Sequence, residues 1–94
     1  MRRVIVTYRV REERLAEHER LLREVYAELA ADRPEGVRYS AYREADGLQF
    51  THIASLADGR RLTDFASWRR WNEGCQSRLE SPALVTVVEE IGSY

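Results

Sequence analysis

The sequence predicts an α+β fold with strands and helices in the order β-α-β-β-α-β. Three observations carry this. Four segments alternate apolar and polar residues, two repeat apolar residues every three or four positions, and an Asp-Gly turn separates the second and third strands. Residues 4–10, "VIVTYRV", are β-branched and aromatic, with Val4, Val6, Tyr8 and Val10 in alternation, and read as the first strand. From residue 12 to 32 the spacing becomes helical. Leu15, Leu22, Val25 and Leu29 share one stripe with Leu21 beside it, and Glu and Arg cover the rest. Pro34 and Gly36 stop this helix. Residues 36–44, "GVRYSAYRE", set Val37, Tyr39 and Ala41 against Arg38, Ser40 and Tyr42, which gives the second strand. "ADG" at 45–47 is the hairpin turn, and "LQFTHIASL" at 48–56 the third strand. After a loop, "ADGRRL", Thr63 or Asp64 caps a second helix that runs to Leu79. Its inner face is Leu62, Phe65, Trp68, Cys75 and Leu79, with Trp71 at the margin. "ALVTVVEEIG" at 83–92 is the fourth strand.

This order is the split-βαβ, ferredoxin-like arrangement: a four-stranded antiparallel sheet with two helices on one face. With no repeat, low-complexity stretch or linker, residues 1–94 form a single domain. The sheet's other face holds Ile5, Thr7, Arg9, Arg38, Ser40, Tyr42, Thr51, Ile53 and Ser55, a mixed set that a second copy can cover. A homodimer packed sheet against sheet is one outcome; a monomer with a solvated sheet face is the other.

Composition narrows the function classes. A chain of 94 residues buries only a thin core, so a partner adds stability. Hydrophobic residues make up 44% and charged residues 33%, as in a folded globular domain. Every basic residue is Arg, and the net charge is -1. That balance argues against nucleic acid as a partner, since phosphate binding draws on a net basic face. No apolar run approaches the ~20 residues of a membrane span. The basic start leads into an apolar stretch too short and too interrupted for a signal peptide, so a cytoplasmic location is expected. Cys75 is the single cysteine, so no internal disulfide and no cysteine zinc site is expected.

The element order, the length, the helix entry "EERLAEHERLL" and the run "GVRYSAYRE...DGLQFTHIASLAD" together resemble the antibiotic biosynthesis monooxygenase family of dimeric α/β barrels. The resemblance covers nearly the whole chain. It implies a homodimer with a cavity between helices and sheet in each subunit. It also implies chemistry of one of the family's kinds, which include cofactor-independent oxygenation of anthrones and quinols, and haem degradation. Family members carry Trp at the end of the third strand with Glu two residues earlier; here those positions are Leu56 and Ala54. The anthrone-oxidising members place an Asn where this chain has His52. Phe65 and Trp68 resemble the "FxxW" of the haem-degrading members, but Arg78 stands where those place the axial histidine, and Arg does not ligate iron. The first strand, "VTYRV", also lacks their Asn.

His52 alternates with Phe50, Ala54 and Leu56, and His18 lies on the stripe Leu15-His18-Leu22-Val25, so both histidines fall on inner faces. Tyr8 and Tyr39 share the parity of their strands' apolar residues, and Trp68 reaches inward from the second helix. The expected pocket is therefore Tyr8, His18, Tyr39, His52, Phe65 and Trp68, apolar and aromatic with a few oriented polar groups. It suits a small aromatic substrate or ligand. Oxidation of a phenol by O₂ without metal or other cofactor starts from a deprotonated substrate, and a neutral histidine with a reference pKa of about 6.5 can take that proton. On this reading His52 is the base and His18 a second base or orienting group. Tyr8 and Tyr39 orient substrate oxygens, and Phe65 and Trp68 form stacking walls. The competing reading makes both histidines core residues of a non-catalytic ligand-binding or structural homodimer. Two histidines without a third ligand of suitable spacing give no metal site. Arg69 and Arg70 project away from the inner stripe as solvated charges. The Gly59-Arg60-Arg61 loop is either an ordinary surface turn or a basic gate that meets an anionic substrate.

Overall fold

The structure, a computed structural model, describes residues 1–94. Four strands, β1 (Arg2–Arg9), β2 (Val37–Arg43), β3 (Gln49–Leu56) and β4 (Leu84–Val88), form one sheet in the order β2-β3-β1-β4. Every neighbouring pair is antiparallel. The long helix α1 (Leu15–Asp32) and the shorter α2 (Ala66–Asn72) and α3 (Cys75–Arg78) pack on one face. This is the α+β ferredoxin-like architecture expected from the sequence.

Side-chain parity explains the core. Tyr8, Val10, Phe50, His52 and Ala54 are buried toward the helices, and α1 buries His18, Leu22 and Val25 against them. On the open face Arg38, Ser40 and Tyr42 are exposed, while Ser55 is buried because the Arg3 guanidinium covers it and donates to its hydroxyl at 2.7 Å. The edge strand β4 leaves Leu84, Val85 and Val87 largely exposed.

Three expectations about the elements need correction. The second helix is not continuous from 63 to 79. A 3-10 turn at Leu62–Asp64 precedes α2, and the chain breaks at Gly74, whose φ of 72° is the left-handed conformation that glycine tolerates. Neither Thr63 nor Asp64 caps α2. The Glu28 carboxylate of α1 does so from across the interface, accepting from the Ser67 backbone N–H at 2.8 Å and from its hydroxyl. Those bonds hold the Glu28 carboxyl below its usual range. The fourth strand ends at Val88 rather than 92, its last pairing with β1 being Val88 opposite Arg3. At the other end of β1, Val10 pairs only with Leu79, as an isolated bridge. That bridge, with the bonds Arg11 N–H to Arg78 O (2.8 Å) and Glu80 N–H to Arg9 O (2.9 Å), anchors the end of α3 beside β1.

Candidate functional site

Cross-strand geometry builds the site. His52 stands directly opposite Val6 on β1 and Ala41 on β2, two residues too small to crowd it. Its diagonal neighbours are Tyr8 and Tyr39, within the reach of long aromatic side chains. The Tyr8 hydroxyl lies 2.7 Å from His52 Nε2, and the Tyr39 hydroxyl lies 2.6 Å from His52 Nδ1. Tyr8 also reaches His18 Nε2, at 2.6 Å. The Arg78 Nε–H donates to His18 Nδ1 at 3.2 Å. A chain of side chains, Arg78–His18–Tyr8–His52–Tyr39, thus crosses the core. Aromatic packing fixes it. Tyr8 stacks on Phe50 with ring planes 7° apart, Tyr39 stacks on Tyr26, and Trp71 lies against both histidines.

Arg78 is 2% exposed and has no carboxylate partner. Its guanidinium is held by the Trp71 carbonyl, by the Glu73 carbonyl at 3.5 Å, and by His18. The Trp71 and Glu73 carbonyls lie at the end of α2, where carbonyls lack helical partners and favour a cation.

A guanidinium only donates, and this fixes the direction of the chain. His18 Nδ1 must accept, so its proton is on Nε2 and is donated to the Tyr8 oxygen. The Tyr8 hydroxyl donates in turn to His52 Nε2. His52 then carries its proton on Nδ1 and donates to Tyr39. The Tyr39 hydroxyl has no acceptor within the protein. Both histidines are neutral. Burial and the neighbouring Arg78 charge push His18 down to about 3, and burial alone pushes His52 down to about 4. Burial pushes the Tyr8 and Tyr39 hydroxyls well above the usual phenol range, so they act as hydrogen-bonding groups rather than phenolates.

The chain ends at a cavity of about 480 Å³ between the sheet and α2. Tyr8, Tyr39, His52, Trp68 and Trp71 line its polar and aromatic part; Val4, Val6, Ala54, Leu56 and Val85 line its apolar floor. The indole N–H of Trp71 is buried without an acceptor, and that of Trp68 is buried beside the Tyr39 hydroxyl.

Of the residues expected in the pocket, Tyr8, Tyr39, His52 and Trp68 line the cavity. His18 lies behind Tyr8, and Phe65 is buried elsewhere; neither lines it. Trp71, expected at the helix margin, is 5% exposed and central, because the buried face of the short α2 is Ser67 and Trp71, four residues apart. His52 presents no free ring nitrogen to the cavity. Arg78 entered the sequence reading only as a residue that does not bind iron. Its role as the anchor of the chain had no local signal, since its partners are 5 to 60 residues away in sequence. Cys75 also lines the cavity, but burial pushes its thiol up, away from the reactive thiolate. No group of three His, Cys or carboxylate side chains converges to hold a metal ion. No helix is long and apolar enough to cross a membrane.

No family model matches the sequence, and no curated protein matches it. Solved structures match over nearly its full length. Rv0793 from Mycobacterium tuberculosis shares 19% identity, with 98% of this chain and 96% of that chain covered and a TM-score of 0.78. A structure described as an antibiotic biosynthesis monooxygenase shares 17%, with 98% and 100% covered and a TM-score of 0.74. SnoaB, a cofactor-independent oxygenase from Streptomyces nogalater, shares 18%, with 98% and 94% covered and a TM-score of 0.70. At these identities the similarity establishes the fold. It is the fold of structures named antibiotic biosynthesis monooxygenases, the group the sequence resembles.

Proposed function

We propose that this chain belongs to the antibiotic biosynthesis monooxygenase group and oxygenates a quinol, anthrone or similar aromatic phenol without a cofactor. One observation carries the reading. The Tyr39 hydroxyl, oriented by His52, ends a buried hydrogen-bond chain at an aromatic cavity with its own proton unaccepted. A donor so placed stabilises charge on a substrate oxygen as the ring becomes electron-rich. The enolate of an anthrone then reduces O₂, a carbon–oxygen bond forms to give a ring hydroperoxide, and loss of water leaves a ketone. The balance is R₂CH₂ + O₂ → R₂C=O + H₂O, with the substrate as the only reductant.

On this proposal Tyr39 contacts substrate oxygen, Tyr8 holds His52 in place, Trp68 and Trp71 flank the ring, and His52 acts through Tyr39. The sequence-based assignment of His52 as the direct base is replaced, because both ring nitrogens are engaged. His18 is a positioning residue. The substrate proton leaves to solvent by the cavity mouth.

Oxygen uptake on hydroquinones, naphthols and anthrones tests this, with wild type, Tyr39→Phe and His52→Gln side by side. Wild-type uptake should exceed autoxidation and fall about a hundredfold in Tyr39→Phe, the scale of losing one oxyanion donor. No wild-type uptake across the panel would support the second reading, a non-catalytic ligand-binding homodimer. The full engagement of both histidines by protein groups favours that reading. The same engagement gives no support to haem degradation, since an axial ligand would first have to give up a tyrosine. In either reading a second copy covers the open face beside exposed Tyr42 and Leu84, which sedimentation of wild type and Leu84→Asp checks.

A further inference from the structure

The charged residues around the cavity are all of one sign. Arg2, Arg60 and Arg61 line it, and no Asp or Glu does. The chain as a whole has a net charge of -1, so the cavity departs from the average of the molecule. Outside the cavity, six of the twelve arginines, Arg3, Arg9, Arg14, Arg20, Arg23 and Arg43, each pair with a carboxylate. None of the three cavity arginines does. Asp58 and Asp64 stand on the same loop but line no part of the cavity. The Asp64 carboxylate instead accepts from the Arg61 backbone N–H at 3.2 Å.

The loop is tied down while its guanidinium groups stay free. The Arg60 N–H donates to the Ala57 carbonyl at 3.0 Å, and the Ala57 N–H to the Gly36 carbonyl at 2.8 Å. Gly36 has no room for a side chain there. A Cβ would meet that of Ala57 at 2.7 Å, so the backbones approach closely. The neutral polar groups of the lining include the Tyr39 hydroxyl, whose proton is unaccepted, and Thr63, Asn72 and Gln76, which can donate or accept. A cavity with a cationic rim, no carboxylate and an aromatic wall selects a flat molecule carrying an anionic oxygen group.

We infer that the ligand of this cavity is an aromatic hydroxy acid, a phenol or quinol bearing a carboxylate. Arg2, Arg60 and Arg61 take the carboxylate, and the ring lies between Trp68, Trp71 and the tyrosines. The inference rests on the proposed function for the phenol and stands on the arginines for the carboxylate. It assigns the rim a selective role that the oxygenation chemistry does not require.

The test is a matched pair of ligands that resist autoxidation, 6-hydroxy-2-naphthoate and its methyl ester, titrated by calorimetry into wild type, Arg60→Gln/Arg61→Gln and Arg2→Gln. The acid should bind wild type about tenfold or more tightly than the ester at low salt. The double variant should lose most of that preference and Arg2→Gln part of it, with ester affinity unchanged in both. About 1 M salt should erase the preference in wild type. Equal or weaker binding of the acid, a preference that survives in the double variant, or no binding of either ligand would each overturn the inference. Oxygen uptake separates this from the function itself. Turnover of neutral quinols with no preference for acids sinks the carboxylate and keeps the oxygenase. Tight binding of the acid without turnover of any hydroxy acid keeps the carboxylate and sinks the oxygenase.

Discussion

The two ends of the helix-covered sheet surface are built from the same strands and have opposite outcomes. At one end Tyr8 faces Phe50, with Val10 beyond, and α1 fills the remaining space with His18, Leu22 and Val25. At the other end Val4 faces Ala54 and Arg2 faces Leu56, and α2 stands over a hollow of about 480 Å³. The filled end cannot use water, so every polar atom of the hydrogen-bond chain needs a protein partner. The hollow end leaves the Tyr39 proton unspent. One sheet thus supplies both a rigid polar anchor and a place for a ligand, and the chain from Arg78 to Tyr39 runs from the first to the second.

The largest break in this contrast should come from Arg78→Met. It strips the donor from His18 and from two carbonyls at the end of α2, and should cost about 3 kcal/mol in urea unfolding. A variant as stable as wild type would show that a buried arginine without a carboxylate is not the anchor of the filled end. Tyr8→Phe follows, at about 2 kcal/mol, because it keeps the ring but leaves Nε2 of both histidines unpaired.

Acid should act on the filled end next. In the folded state His18 and His52 are held at about 3 and about 4, below the ordinary histidine value, so the unfolded chain binds more protons than the folded one as pH falls below about 6.5. The histidine contribution to stability is complete above that pH and is lost progressively toward the folded values. His52→Gln should therefore flatten the slope of unfolding free energy against pH between about 6 and 4.5 by up to about 1.4 kcal/mol per pH unit. An unchanged slope would mean that His52 takes its proton in the folded protein.

The smallest effect sharpens the comparison directly. Ala54→Leu adds bulk beside the hollow and should change stability by no more than about 0.5 kcal/mol while weakening ligand binding. Val10→Phe adds bulk at the filled end and should cost about 1–3 kcal/mol. Similar costs at both sites would mean that the hollow is not open space.

The sequence alone determined the order of elements, which side of each strand faces the helices, and that both histidines lie inside. Alternation and helical spacing are local properties, and burial enforces them residue by residue. It also placed Tyr8, Tyr39, His52 and Trp68 around one pocket, because parity on neighbouring strands and the inner stripe of a helix converge on one layer. Tertiary structure alone decided what those residues do there. Whether His52 is free or bonded depends on diagonal neighbours set by strand register, and register is a pairing between segments remote in sequence. The packing of the short α2 on its Ser67–Trp71 face exchanged the expected prominence of Trp68 and Trp71, and the break at Gly74 set α3 where Arg78 reaches His18, 60 residues away. Hydrogen-bond direction is a property of the whole chain of partners, fixed at one end by a group that can only donate, so no single residue's neighbours in sequence carry it.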